Sequence, residues 1–175
     1  RTQTVGDLDG VKPNTFNFAI SLNDQKWIGT SSEGLIRYAD DTNFDLISPQ
    51  GPLSNSIFDI ENVQQELWIA HGDYNLKYTP SLLEKYGLSR YVDKQWENIP
   101  NNQLFNADSF VRVVAHPTEI GTLYACSFHG GIVALEDNTP VALWDQTNSG
   151  LESLTFAGPN YKSIRVRDVL VDDNG

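Results

Sequence analysis

Acid–base chemistry or metal ligation in this chain would have to start from three histidines, His71, His116 and His129. Their order shows neither HExxH nor His-x-His spacing, so the sequence predicts no metal site. His116 precedes Pro117 in a stretch that reads as a turn between strands, which is the setting of a surface residue. His71 and His129 each close a strand-like run, Leu67-Trp68-Ile69-Ala70 and Leu123-Tyr124-Ala125-Cys126-Ser127. Beyond His71 come Asp73, Tyr74, Tyr78 and Tyr86, and further on Trp96. Rings with a flat apolar face and a polar edge suit stacking on sugars, or packing a loop onto its sheet. The 23 Asp and Glu residues show no spacing that pairs two acids, or a nucleophile with a base, so the sequence reads as that of a non-enzyme without cofactor. Cys126 stands alone in an apolar run. It offers no intrachain disulfide and reads as a small buried hydrophobe. Asp172-Asp173-Asn174-Gly175 lacks the full loop spacing of a calcium site.

The elements that carry these residues read as strands. Phe16, Phe18, Ile20 and Leu22 alternate with polar or small residues, the period of a strand with one buried face. Trp27-Ile28 is followed by Gly34-Leu35-Ile36-Arg37-Tyr38, and Trp68-Ile69 by Gly87-Leu88-Ser89-Arg90-Tyr91. Gly10 and Asn14 precede Trp27 at the offsets at which Gly51 and Asn55 precede Trp68, giving a repeat of 41 residues. A fixed period of this size, filled by four short strands and tight turns, predicts blades of a β-propeller. The predicted blades span about 14–50, 55–100 and 108–148, with the first strand of a fourth in 162–175. In the second blade the strands fall at 56–61, 66–70, 87–92 and 95–99. Its spacer between strands two and three is 12 residues longer than in the first blade, and residues 80–85 within it could form one helical turn. No longer helix is evident.

Hydrophobic content of 39% and aromatic content of 11% are enough for a packed core. A net charge of −11 argues against nucleic acid, whose phosphates are met by Lys and Arg. No apolar run approaches the ~20 residues that span a bilayer. Three blades and a strand do not close a ring, so the chain is expected to be part of a longer protein. Open propeller ends are expected to let it self-associate. Were the parent exported, its signal would lie outside these residues.

Leu67-Trp68-Ile69-Ala70-His71-Gly72, Tyr86-Gly87-Leu88-Ser89-Arg90-Tyr91, Trp96-Glu97-Asn98-Ile99-Pro100, Ser127-Phe128-His129-Gly130-Gly131 and Thr147-Asn148-Ser149-Gly150-Leu151-Glu152 resemble the N-terminal propeller of the PorZ-like proteins. Trp27-Ile28-Gly29-Thr30 with Gly34-Leu35-Ile36-Arg37-Tyr38 resembles the propeller repeat of two-component regulators. PorZ-like proteins are surface components of the type IX secretion system of Bacteroidetes. The resemblance implies a non-enzymatic role at the cell surface, outside the outer membrane. The implied partners are the proteins of an attachment complex that includes a sortase-like protease, and lipopolysaccharide or another glycan. The alternative is a periplasmic, oligosaccharide-sensing propeller of a hybrid two-component regulator.

In a meander of this kind the loops between strands two and three leave on the same side as the connections between blades. That side should carry residues 71–86, His129, Asn14, Asn55, 106–109 and 158–161. A face built from loop insertions and aromatic residues is where a propeller is expected to bind partners. The expected ligand-binding residues are His71, Asp73, Tyr74, Tyr78, Trp96 and His129. Trp27 and Trp68 are expected between neighbouring blades, and Arg37 and Arg90, at identical repeat positions, to be structural.

Overall fold

The computed structural model describes residues 16–31, 34–40, 43–48, 50–63, 65–78, 85–155, 158 and 161–172. The chain forms two compact units, residues 1–50 and 51–175. Among the described residues the fold is all-β, with three four-stranded antiparallel sheets whose strands lie in sequence order. Each sheet is therefore a meander, the unit of a propeller blade. A single 3-10 turn, Asn101–Gln103, follows the second sheet. Asn14, residues 80–84 of the helical turn expected at 80–85, and residues 173–175 fall outside the described residues.

The first unit holds β1 (Phe16–Leu22), β2 (Gln25–Thr30), β3 (Leu35–Asp40) and β4 (Asn43–Ile47). Ile28, Ile36 and Tyr38 form its core with Phe44 against them. Phe18, Ile20, Leu22, Trp27 and Leu35 line a hollow on one side of the sheet. Asn23 and Asp24 turn the β1–β2 hairpin with φ of 50° and 60°. Asp93-Lys94 and Asp137-Asn138 repeat that geometry in the later blades. Two consecutive positive φ values match the right-handed twist of the flanking strands, and after glycine Asn and Asp tolerate them best.

The second unit contains β5 (Asp59–Val63), β6 (Glu66–Ala70), β7 (Gly87–Val92) and β8 (Gln95–Pro100), then β9 (Phe110–Ala115), β10 (Thr122–Ser127), β11 (Gly131–Glu136) and β12 (Thr139–Trp144). The first strand of the second blade begins later than the sequence predicts and runs on to Val63, because the carbonyl of Ser56 is taken by the imidazole of His71. Trp68, Ala70 and Leu88 of one blade pack with Leu123, Ala125, Val133 and Leu135 of the next in a single core. Trp68 thus lies between blades as expected. Each such large apolar side chain contributes roughly 1.5–3 kcal/mol on burial. Val111, Cys126, Phe128 and Ile132 belong to a second cluster, closed by Ile164 and Val166. The Gly131 N–H donates to the Ile164 carbonyl (3.2 Å), and the Val166 N–H to Ser127 (3.1 Å). The Gly72 N–H donates to Phe110 of β9 in the corresponding way. Residues 163–166 thus run beside the end of β10 and the start of β11, joined by a parallel bridge between Gly130 and Ile164.

Gly34, Gly87 and Gly131 open the third strand of each blade with φ of 94°, 97° and 105°. A Cβ at these positions would run into the carbonyls of Ile47, Ile99 and Trp144. The Gly-Leu element of the repeat is thus a backbone requirement. The repeated arginines are structural as well. Arg37 pairs with Asp45 directly across the β3–β4 ladder, and Arg90 with Glu97 across β7–β8. Arg90 also meets Glu66 at 2.8 Å and lies 5.9 Å over the Trp68 ring.

His116 departs from expectation. It is buried rather than on the surface, because its Nδ1 accepts the N–H groups of Thr118 (3.3 Å) and Glu119 (3.0 Å) and folds the turn around the ring. Cys126 is fully buried, and burial pushes its thiol pKa up to about 12. Among the described residues no helix is long and apolar enough to cross a membrane.

Candidate functional site

Strand direction decides what meets at each end of the second unit. β6, β8 and β10 finish, and β7 and β11 begin, at one end. The connections 51–58, 71–78, 101–109, 128–130 and the described residues 161–163 collect there. The Phe128 N–H donates to the Ser109 carbonyl (2.8 Å), and the Ser127 hydroxyl donates to the Asp108 carbonyl. Where the long insertion leaves β6, Gly72 passes so close to Ser109 and Phe110 that a Cβ would collide with their backbone. Glycine lets the loop cross the first strand of the next blade.

His71 lies beneath this end at 1% exposure. Its Nδ1 lies 2.9 Å from the Ser56 carbonyl, which can only accept, so Nδ1 carries the proton. Nε2 then accepts from the Ser89 hydroxyl (2.9 Å), which itself accepts the Leu53 N–H (2.9 Å). Both ring nitrogens are used inside the fold, and the ring meets Tyr86 edge-on at 6.3 Å. Burial holds the imidazole pKa below its usual value against the raising effect of the Ser56 hydrogen bond. His71 is placed as a strut under the loop and presents no face to a ligand.

Above it the insertion delivers an aromatic stack. Tyr74 stacks on Phe128 with centroids 4.5 Å apart, and leans on Phe58 at 4.8 Å and on Tyr78 at 5.7 Å. Tyr74 packs against the cluster that closes the third blade, so it pins the insertion to its neighbour. Tyr78 lies further out, about half exposed. Its carbonyl accepts Nη1 of Arg165 (2.9 Å), and its hydroxyl accepts Nη1 of Arg167 (3.1 Å). The two guanidiniums also lie over rings, Arg165 at 5.7 Å from Phe128 and Arg167 at 5.4 Å from Tyr78. Asp73, between Gly72 and Tyr74, is half-buried at the root of the loop.

His129 joins the group from the other side. Ser163 Oγ accepts from Arg165 Nε (3.1 Å), which leaves its own proton to donate to His129 Nδ1 (2.9 Å). Tyr161 meets the ring edge-on at 5.7 Å. Burial lowers the His129 pKa; Arg165 acts in the same direction and Asp108 opposes it.

Tyr74, Tyr78 and His129 are thus brought to one place, with Asp73 beside them and His71 below. Trp96 is not among them. It follows the β7–β8 turn at the opposite end of its blade, where it packs on its cross-strand partner Tyr91 at 5.0 Å. Its distance from the insertion follows from counting strands, since β8 runs toward the loop end and Trp96 lies at its start. Sequence reasoning also missed Phe58, Phe128, Arg165 and Arg167. The alternation of Ile164 and Val166 with Arg165 and Arg167 carried a signal, a strand with an apolar and a cationic face. Among the described residues no three His, Cys, Asp or Glu side chains converge as metal ligands.

Four-stranded meanders in series, two of them tied through first strand and loop end within the second unit, make this an all-β chain of the propeller type. No protein-family model and no curated protein matches its sequence. Among solved structures it is similar to PorZ, an essential surface component of the type IX secretion system of the human oral bacterium Porphyromonas gingivalis. That superposition has a TM-score of 0.66 at 13% identity, over 87% of this chain and 21% of PorZ. A looser match, TM-score 0.40 at 16% identity over 86% of this chain and 21% of the other, is to the extracellular domain assigned to the hybrid two-component system BT3049 of B. thetaiotaomicron. The chain thus spans about a fifth of the length of either. The propeller-type, PorZ-like architecture expected from the sequence is borne out at the level of the fold.

Proposed function

We propose that this chain is a non-enzymatic binding and scaffolding part of an exported surface protein of the PorZ kind, working at the outer face of the outer membrane. In this reading the loop end of the second unit contacts the proteins of an attachment complex and an anionic lipopolysaccharide. The observation that carries the reading is the insertion itself. It lengthens the repeat, its residues 71–78 lie outside the strands, and Tyr74 fixes that part between Phe58 and Phe128. Holding residues 71–78 in one conformation costs entropy that the blade does not need for its own stability. A preorganised loop bearing exposed Leu76 and Tyr78 suits recognition, where prior ordering raises affinity.

The test is biolayer interferometry of the chain against purified lipopolysaccharide and against the sortase-like protease of such a complex. Leu76→Asp, at a fully exposed loop position, should abolish capture, whereas Trp96→Ala at the far end should leave it intact. Capture that survives Leu76→Asp and is lost with Trp96→Ala would refute the assignment of this end.

A further inference from the structure

We infer that Arg165 and Arg167, seated on the rings of Phe128 and Tyr78, form a docking site for an extended acidic segment of a partner protein. The inference rests on the loop end being the binding face. Its own evidence is a contrast among the arginines of the second unit. Arg90 sits on Glu66 and Glu97, and Arg112 on Asp59, Glu61 and Asp168. Arg165 and Arg167 meet no carboxylate among the described residues, in a chain of net charge −11.

Their donors are nevertheless aimed. Tyr78 fixes one Nη1 of each guanidinium through its carbonyl and its hydroxyl, and aromatic rings cover a face of each. Arg165 also gives its Nε–H to Ser163, so its Nη2 and the Nε/Nη2 edge of Arg167 are left to pair with an anion, the latter as the planar fork that matches carboxylates. The two arginines are two residues apart on an extended segment, about 6.5–7 Å along the chain, which is the repeat of alternate side chains on another extended strand. A peptide with carboxylates at alternate positions therefore matches the pair in charge and in spacing. The surroundings favour protein over sugar phosphate. Leu76 is fully exposed, and Ile57, Phe58 and Tyr78 are substantially so. Arg and Tyr beside an apolar rim have the composition of a protein interface hot spot.

The test uses the intact chain and a fluorescein-labelled peptide of alternating Glu and Val, read by fluorescence anisotropy. Its Gln counterpart and glucose 1-phosphate serve as comparators. The acidic peptide should bind, the Gln peptide about tenfold or more weaker, and binding should weaken with added salt. Arg167→Ala should weaken binding about tenfold. Arg167→Glu should lose the acidic peptide and gain one in which Lys replaces Glu, an exchange that a structural role for Arg167 would not produce. Equal binding of acidic and Gln peptides, no effect of Arg167→Ala, or tighter binding of glucose 1-phosphate would each overturn the proposal. Peptide binding that fails while Leu76→Asp still abolishes capture of the larger partners would sink this inference alone. Capture that ignores Leu76→Asp would sink the binding-face reading.

Discussion

Nδ1 of His71 lies 2.9 Å from the carbonyl oxygen of Ser56, so the end of β6 is tied to the chain entering the same blade. Its other nitrogen continues through the Ser89 hydroxyl to the Leu53 N–H. One buried imidazole therefore joins the incoming segment, β7 and the base of the insertion.

Removing that imidazole should be costly. His71→Ala leaves the Ser56 carbonyl without its donor in a buried space and opens a cavity, for an expected loss of about 2–4 kcal/mol. Urea unfolding followed by tryptophan fluorescence measures it. A loss below about 0.5 kcal/mol, the scatter of ordinary surface substitutions, would contradict the strut role.

The same burial makes stability depend on pH. His71 and His129 both have folded pKa values below the 6.5 of the free side chain. Well above pH 6.5 neither state binds the proton, and these groups contribute no pH dependence. Between 6.5 and the folded values the unfolded chain binds more protons, so stability falls as pH drops through that window and levels off below it. Urea midpoints at pH 7.5 and at pH 5.5 should show the loss, and His71→Gln should make it shallower. A midpoint that rises toward acid would contradict the assignment.

Gly87→Ala should destabilise the fold by about 1–3 kcal/mol, because alanine there faces both a positive φ and the Ile99 backbone. Gly150→Ala is the control. Its Cβ would enter open space, and the change should stay within about 0.5 kcal/mol. Thermal melts of the two variants make the comparison.

The repeated arginines should not be equivalent in energy. The Arg90 side chain is 12% exposed and holds two carboxylates, whereas Arg37 is 44% exposed and holds Asp45. Arg90→Ala is expected to cost about 1–3 kcal/mol and Arg37→Ala less than about 1 kcal/mol. Equal costs in chemical denaturation would mean that burial of the pair is irrelevant.

Cys126 supplies a reporter. Its thiol is buried with a pKa near 12, so little thiolate forms at pH 8 and reagent must wait for the fold to open. Ellman's reagent should react slowly with the native chain and quickly in urea. Rapid native labelling would place the thiol in an open environment instead.

Much of the blade architecture was legible because it is local and repeated. Trp68, Leu88 and Gly87 advertise strand, core face and turn within a few residues of themselves, and the copy at Trp27 confirms the register. The site was legible only in part. The insertion was visible as extra length; Tyr74 and Tyr78 touch, and His129 is linked to Tyr78 only through Ser163 and Arg165. The place of Trp96 depended on strand direction, and the burial of His71 on a segment 15 residues earlier folding back to it. His116 looked like a surface turn residue because nothing nearby in sequence announces that its own turn wraps around the ring.

The sequence by itself determined the period, the meander and the glycines that the turns demand, because hydrophobic alternation and backbone sterics act over neighbouring residues. Only the tertiary structure decided that Arg165 and Arg167 come to rest on Tyr78, 87 and 89 residues away along the chain. That meeting depends on the packing of separate blades and on the path of an inserted loop, neither of which leaves a pattern in consecutive residues.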